Sequence, residues 1–155
     1  MSESGELMNL YRERILEHAR NPRNFGKLSN ATHVAEGINP LCGDKLKLYL
    51  RINDGVIEDV QFEGTGCAVA MASASMLTDT LQSLECNEAL SCADAVSERL
   101  TNSSSQPEPA QDCVPDELRA LDGVKEFPAR VKCATLAWQT LRSAINKDAQ
   151  AVTTE

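Results

Sequence analysis

The chain lacks a long apolar run, a cluster of basic residues and a recognisable leader sequence. No apolar stretch in its 155 residues approaches the ~20 residues that a membrane-spanning helix requires. The formal net charge is -8, whereas nucleic acids and anionic membranes both bind basic surfaces. We therefore expect no nucleic-acid partner and no membrane partner.

The N-terminal residues 1–6 are acidic and lack the basic region and apolar run of a secretory signal. This absence predicts a cytoplasmic protein, in which thiols stay reduced. Six cysteines in such a protein favour metal or sulfur chemistry over disulfide bonds. The alternative is that they are small buried apolar residues, as free cysteines often are.

Two apolar spacings run along the chain and predict its secondary structure. Alternating apolar positions before a turn at residues 53–55 predict a β-hairpin, and these positions are Leu46, Leu48, Leu50 and Ile52. Helical spacing predicts helices over about residues 5–19, 67–84, 87–100 and from Pro128 onward. Strands followed by a run of helices are typical of an α+β fold.

The length and the composition predict one domain over residues 1–147. Residues 102–115 are polar, contain proline and show no periodicity, so we expect a mobile loop there. We expect residues 148–155 to form a frayed tail.

Three cysteines lie in distinct short motifs: NPLCGD (residues 39–44), GTGCA (residues 64–68) and RVKCATLAW (residues 130–138). Thiolate is both a soft metal ligand and a nucleophile that can carry sulfur. Cys42 is expected on an exposed turn, with the Asp44 carboxylate close enough to face the same side. Asp44 is equally well explained as an ordinary turn residue beside glycine.

The other two cysteines are expected at or near helix starts. Cys67 is predicted at a helix N-terminus, where partial positive charge lowers the pKa of a thiol. Cys133 follows the cations Arg130 and Lys132, which also favour thiolate, although a buried structural cysteine would suit this helix as well. The cysteine spacings do not match a zinc ribbon.

Together with HARNPRNFG (residues 18–26), these motifs resemble the U-type iron–sulfur cluster assembly proteins, namely SufU, IscU and the N-terminal domain of NifU. The segment FPARVKCATLAW (residues 127–138) is most similar to SufU. The resemblance implies an α+β fold with a small antiparallel sheet and helices packed on it. It also implies a single metal or cluster site, and a pyridoxal-phosphate cysteine desulfurase as the sulfur donor. The implied ligands are Cys42, Asp44, Cys67 and Cys133.

Two functions follow from this resemblance. In the first, Zn²⁺ fills the four-ligand site, and Cys42 takes persulfide sulfur from the desulfurase, as in a zinc-dependent sulfurtransferase. In the second, the same residues form a scaffold on which a [2Fe–2S] cluster is assembled. Either product would pass to a downstream cluster scaffold or apo-protein. We favour the first, because Lys132 stands where IscU scaffolds typically carry a histidine, and protonated lysine is a poor ligand.

A third interpretation is a structural metal domain that serves only as an interaction module. The carboxylate ligand and the exposed turn around Cys42 argue against it. No functional role is assigned to the remaining cysteines and histidines, which are Cys86, Cys92, Cys113, His18 and His33.

Overall fold

The computed structural model describes residues 3–101, 121, 123–147 and 152–153. Their helices are α1 (Glu3–Arg20), α2 (Ala68–Leu81), α3 (Cys86–Thr101) and α4 (Pro128–Asn146). Their strands are β1 (His33–Asn39), β2 (Asp44–Asn53), β3 (Val56–Thr65) and β4 (Val152–Thr153). The predicted loop at residues 102–115, which includes Cys113, lies outside the described residues.

The strands form one sheet in the order β3-β2-β1-β4. β2 lies between β1 and β3 and pairs with each of them in antiparallel orientation. The alternating leucines of β2 are buried against the helices, which is the face that their period-two spacing predicted. The predicted α+β fold with a small antiparallel sheet and packed helices is confirmed.

The C-terminal segment differs from the frayed tail that the sequence suggested at two residues. Val152 and Thr153 pair in parallel with Gly37 and Ile38 of β1. β4 therefore covers the outer edge of β1, where unpaired backbone N–H and C=O groups would otherwise readily accept a further strand. Residues 148–151 and 154–155 lie outside the described residues.

Small residues bring the helices close to the sheet. A Cβ atom at Gly37 would lie 2.1 Å from Thr140 Oγ1 and 3.0 Å from Leu136 Cδ1, so α4 crosses β1 at a distance that only glycine permits. Ser73 of α2 fixes the same helix, because its hydroxyl donates to the Ala134 carbonyl at 2.6 Å. These contacts bring the first turns of α4 to the sheet end where β1 finishes and β2 begins.

The core lies between the sheet and the helices. Its largest fully buried side chains include Trp138, Phe62, Leu50 and Ile57. The indole N–H of Trp138 donates to the Ser73 hydroxyl at 3.1 Å, which satisfies its polar atom inside the core. Among the described residues no helix is both long enough and apolar enough to span a bilayer.

Candidate metal centre

Four chain segments end or begin at one edge of the sheet and bring the predicted ligands together. Cys42 lies in the loop between β1 and β2, and Asp44 is the first residue of β2. Cys67 is the N-cap of α2, and Cys133 lies near the start of α4. The sulfur atoms of Cys42 and Cys133 and a carboxylate oxygen of Asp44 lie within 4.8 Å of one another. Cys67 adjoins this group, with its Sγ 3.9 Å from Asp44 Oδ2.

Asp44 is the centre of the arrangement and is fully buried. Its Oδ1 accepts a hydrogen bond from the backbone N–H of Cys67 at 2.8 Å. Its Oδ2 accepts one from the side-chain amide of Asn39 at 3.2 Å. A Cβ atom at Gly66 would lie 2.5 Å from Asp44 Oδ1, so this glycine leaves the carboxylate its space. The burial excludes the alternative that Asp44 is an exposed turn residue.

Cys133 is also buried, and its sulfur accepts a hydrogen bond from Asn39 Nδ2 at 3.3 Å. Burial raises the pKa of the Cys133 thiol well above its ordinary value, and hydrogen bonds with Asp44, Cys42 and Cys67 raise it further. A metal cation at this position would reverse that effect, since a coordinating thiol is deprotonated outright.

Cys42 has a different environment, because it is only partly buried and its loop faces outward. The guanidinium of Arg130 donates to its sulfur at 3.9 Å. The negative charge of the Cys67 thiolate raises the pKa of Arg130, with hydrogen bonds to Cys133 and Cys67 and the charge of Cys42 adding to it. Leu41 is 76% exposed beside Cys42, and Phe127 is 44% exposed.

Tyr11 of α1 lies near the site, because Cys67, Cys133 and Arg130 act on it electrostatically. Its ring stacks on Phe127 with centroids 6.0 Å apart. Burial raises the pKa of Tyr11, and the nearby charge of Cys67 adds to the shift. No local sequence pattern predicts this contact, because it joins residues far apart in the chain.

Asn39 was also missed as a site residue, although it is the first letter of the NPLCGD motif. Because Asn39 and Asp44 are the final pair of the β1–β2 ladder, a correct hairpin register would have placed them side by side.

The residues to which no role was assigned lie apart from the group of ligand atoms. The buried His18 ring shares a hydrogen bond with the Ser75 hydroxyl at 2.7 Å, between α1 and α2. His33 makes one with the Thr32 hydroxyl at 2.8 Å. Cys86 and Cys92 belong to α3. Lys132 is exposed, in keeping with its exclusion as a ligand.

The donor set fits a zinc ion. Three sulfur atoms and one carboxylate oxygen match in number and type the ligands that a tetrahedral zinc site takes, and thiolates disfavour the hard cations Ca²⁺ and Mg²⁺. The side-chain oxygen Asn39 Oδ1 is buried here and accepts no hydrogen bond from the described residues. Thiolates bind iron as well, so the donor types alone do not separate the two metals.

The chain matches the family model for the NifU-like N terminal domain over residues 10–153. A Bacillus subtilis protein described as zinc-dependent sulfurtransferase SufU is 38% identical over 149 residues, covering 96% of this chain and 97% of its own. A Streptococcus pyogenes protein described as iron–sulfur cluster assembly scaffold protein IscU is 38% identical over 146 residues, covering 94% and 89%. The crystal structure of the N-terminal part of a NifU-like protein from Brucella abortus superposes with a TM-score of 0.77. It is 27% identical, and the match covers 90% of this chain and 94% of that one.

Proposed function

The chain belongs to the family of NifU-like N-terminal domains, and we propose that it acts in cytoplasmic iron–sulfur cluster biogenesis as a zinc-bound sulfur acceptor. The observation that carries this proposal is the unequal exposure of the clustered ligands. Asp44 and Cys133 are buried, and Cys67 is partly buried at the N-cap of α2. Cys42 is also partly buried, but it lies on a loop whose neighbouring residues are exposed. A purely structural zinc site has no use for an accessible thiol, but a sulfur acceptor requires one.

The proposed ligands are Cys42, Asp44, Cys67 and Cys133. When bound, zinc would keep the thiols ionised at neutral pH and hold them together. The chain contributes the arrangement itself: Asp44 is held by the Cys67 backbone N–H and by Asn39, and Cys133 is held by Asn39. Arg130 lies beside Cys42, where its positive charge favours an anionic sulfur approaching from a partner.

The proposed reaction is thiol–persulfide exchange with a cysteine desulfurase. The Cys42 thiolate attacks the outer sulfur of the persulfide on the desulfurase cysteine. A new S–S bond forms at Cys42, the S–S bond of the donor breaks, and the donor cysteine leaves as a thiolate with the electron pair. The proton of the transferred sulfur stays on it or passes to solvent, so the step needs no oxidant or reductant. The sulfur then passes to a downstream cluster scaffold or apo-protein.

A second candidate function is a scaffold for a transient [2Fe–2S] cluster. It is favoured by the similarity to the Streptococcus pyogenes scaffold and by a donor set of three thiols and a carboxylate. Elemental analysis of protein purified without oxygen distinguishes the two functions. Zinc near one ion per chain and a colourless solution support the sulfur acceptor; iron with acid-labile sulfide and visible absorption supports the scaffold.

The test of Cys42 is sulfur uptake from a cysteine desulfurase supplied with cysteine. We expect the Cys42→Ala variant to take up no sulfur while keeping its fold, because the accepting thiol is gone. Cys86→Ala is the matched control, since Cys86 is also partly buried but belongs to α3, outside the site. Normal uptake by Cys42→Ala would refute Cys42 as the acceptor.

A further inference from the structure

The side chain of Asn39 links two of the proposed ligands. It is fully buried at the last position of β1. Its Nδ2 donates to Asp44 Oδ2 at 3.2 Å and to Cys133 Sγ at 3.3 Å. A primary amide carries two N–H donors on one nitrogen, so one group serves both acceptors.

The backbone makes this link specific. Asn39 pairs with Asp44 across the β1–β2 ladder, which sets the amide beside the carboxylate. The close crossing of α4 over Gly37, two residues earlier on the same strand face, sets Cys133 above the same amide. Asn39 therefore joins the hairpin to α4 through the two ligands that are most deeply buried.

The oxygen atom of the Asn39 side-chain amide is in a destabilising environment. Asn39 Oδ1 is buried and accepts no hydrogen bond from the described residues. Leaving a buried acceptor unsatisfied lowers the stability of a protein, and native proteins keep few such groups. An apolar residue of similar size would avoid that cost, so the two N–H donors are the property that accounts for asparagine here.

We propose that Asn39 is a positioning residue that holds Asp44 and Cys133 as the fixed half of the metal centre. The Asn39 amide donates to Asp44 and Cys133 and to neither of the partly buried thiols, Cys42 and Cys67. Of these two, Cys42 lies on the exposed loop, so we assign the reaction to it. This inference rests on the proposed function. The inference extends that function by separating the ligands that retain the metal from the one that accepts sulfur.

The experiment measures zinc affinity by competition with a chromophoric chelator for wild type, Asn39→Ala and Asn39→Leu. Removing a hydrogen bond that supports metal ligands costs about 10–100-fold in affinity, and we expect a loss in that range for both variants. Leucine preserves the volume, so Asn39→Leu carries the test alone if the alanine variant does not fold. Thr140→Val is the matched control, because Thr140 is a buried polar residue of the same α4–β1 contact outside the site.

A second readout is the visible spectrum of the Co²⁺-loaded proteins. We expect the sulfur-to-metal band and the ligand-field bands to shift in both Asn39 variants but not in Thr140→Val. Affinity losses well below the expected range in both variants, or an equal loss in Thr140→Val, would overturn the role of Asn39. Wild-type protein that binds neither Zn²⁺ nor Co²⁺ tightly would instead refute the zinc function, so the two failures are distinguishable.

Discussion

Each side of the proposed metal centre has a cysteine, but the two cysteines have different surroundings: Cys133 is buried, and Cys42 is partly exposed. On the buried side, Asp44 and Cys133 are inaccessible to solvent and tied together by the Asn39 amide. On the open side, Cys42 lies on a loop, beside an exposed leucine and within 3.9 Å of the Arg130 guanidinium. In the proposed function, the buried side keeps its ligands in place and the open side lets a thiol reach a partner. We therefore expect the surroundings of each ligand, more than its chemical type, to decide whether it retains the metal or reacts with a partner.

The largest expected effect compares one cysteine from each side. Loss of a supporting hydrogen bond costs up to about 100-fold in metal affinity, and Cys133→Ala should cost more than that. The substitution removes a ligand at a position closed to solvent, where water cannot replace the sulfur. Cys42→Ala should lower zinc affinity less, since water can take a place on the open side. Chelator competition on both variants measures this difference. Equal losses would mean that the two sides contribute alike and would break the comparison.

A smaller effect is expected from crowding the buried side. Gly66→Ala places a Cβ atom 2.5 Å from Asp44 Oδ1, so the carboxylate must shift. Overpacking of this kind costs roughly 1–3 kcal/mol in stability, and here it should also lower zinc affinity.

Gly55→Ala provides the matched control for Gly66→Ala. Gly55 has φ +75° and open space around its Cα, so alanine there should cost about 1–2 kcal/mol through backbone strain alone. Its zinc affinity should equal that of wild type. If chemical denaturation shows similar losses for both variants while zinc affinity is unchanged in both, Asp44 is not held as tightly as its hydrogen bonds indicate.

The sequence predicted the elements better than the contacts between them. The alternation in β2, the helical spacing in α1 and the proline at the start of α4 are local signals, and the structure contains all three elements. The convergence of the ligands was implied only by resemblance to a family. Asn39 was missed because its bond to Cys133 joins residues 94 positions apart, which no local pattern encodes. β4 was missed because two residues are too few to show a period.

The smallest expected effect tests the open side through Arg130. Its guanidinium is exposed and lies near the site sulfurs, which raise its pKa, so it remains charged at any working pH. Exposed charge pairs are worth roughly 0.2–1 kcal/mol, so Arg130→Gln should slow sulfur uptake by about fivefold at most.

The position of Arg130 also predicts how its replacement affects zinc affinity and how the change in uptake rate depends on salt. Zinc affinity should fall less than in the Asn39 variants, because Arg130 supplies no ligand and its hydrogen bonds to the site sulfurs come from an exposed guanidinium. The difference in uptake rate between wild type and Arg130→Gln should shrink as salt is added, since ions screen exposed charges. Lys132→Gln is the control, because Lys132 is an exposed cation of the same helix that does not contact the ligands among the described residues. A loss of zinc affinity in Arg130→Gln as large as in the Asn39 variants would place this arginine with the retaining side instead.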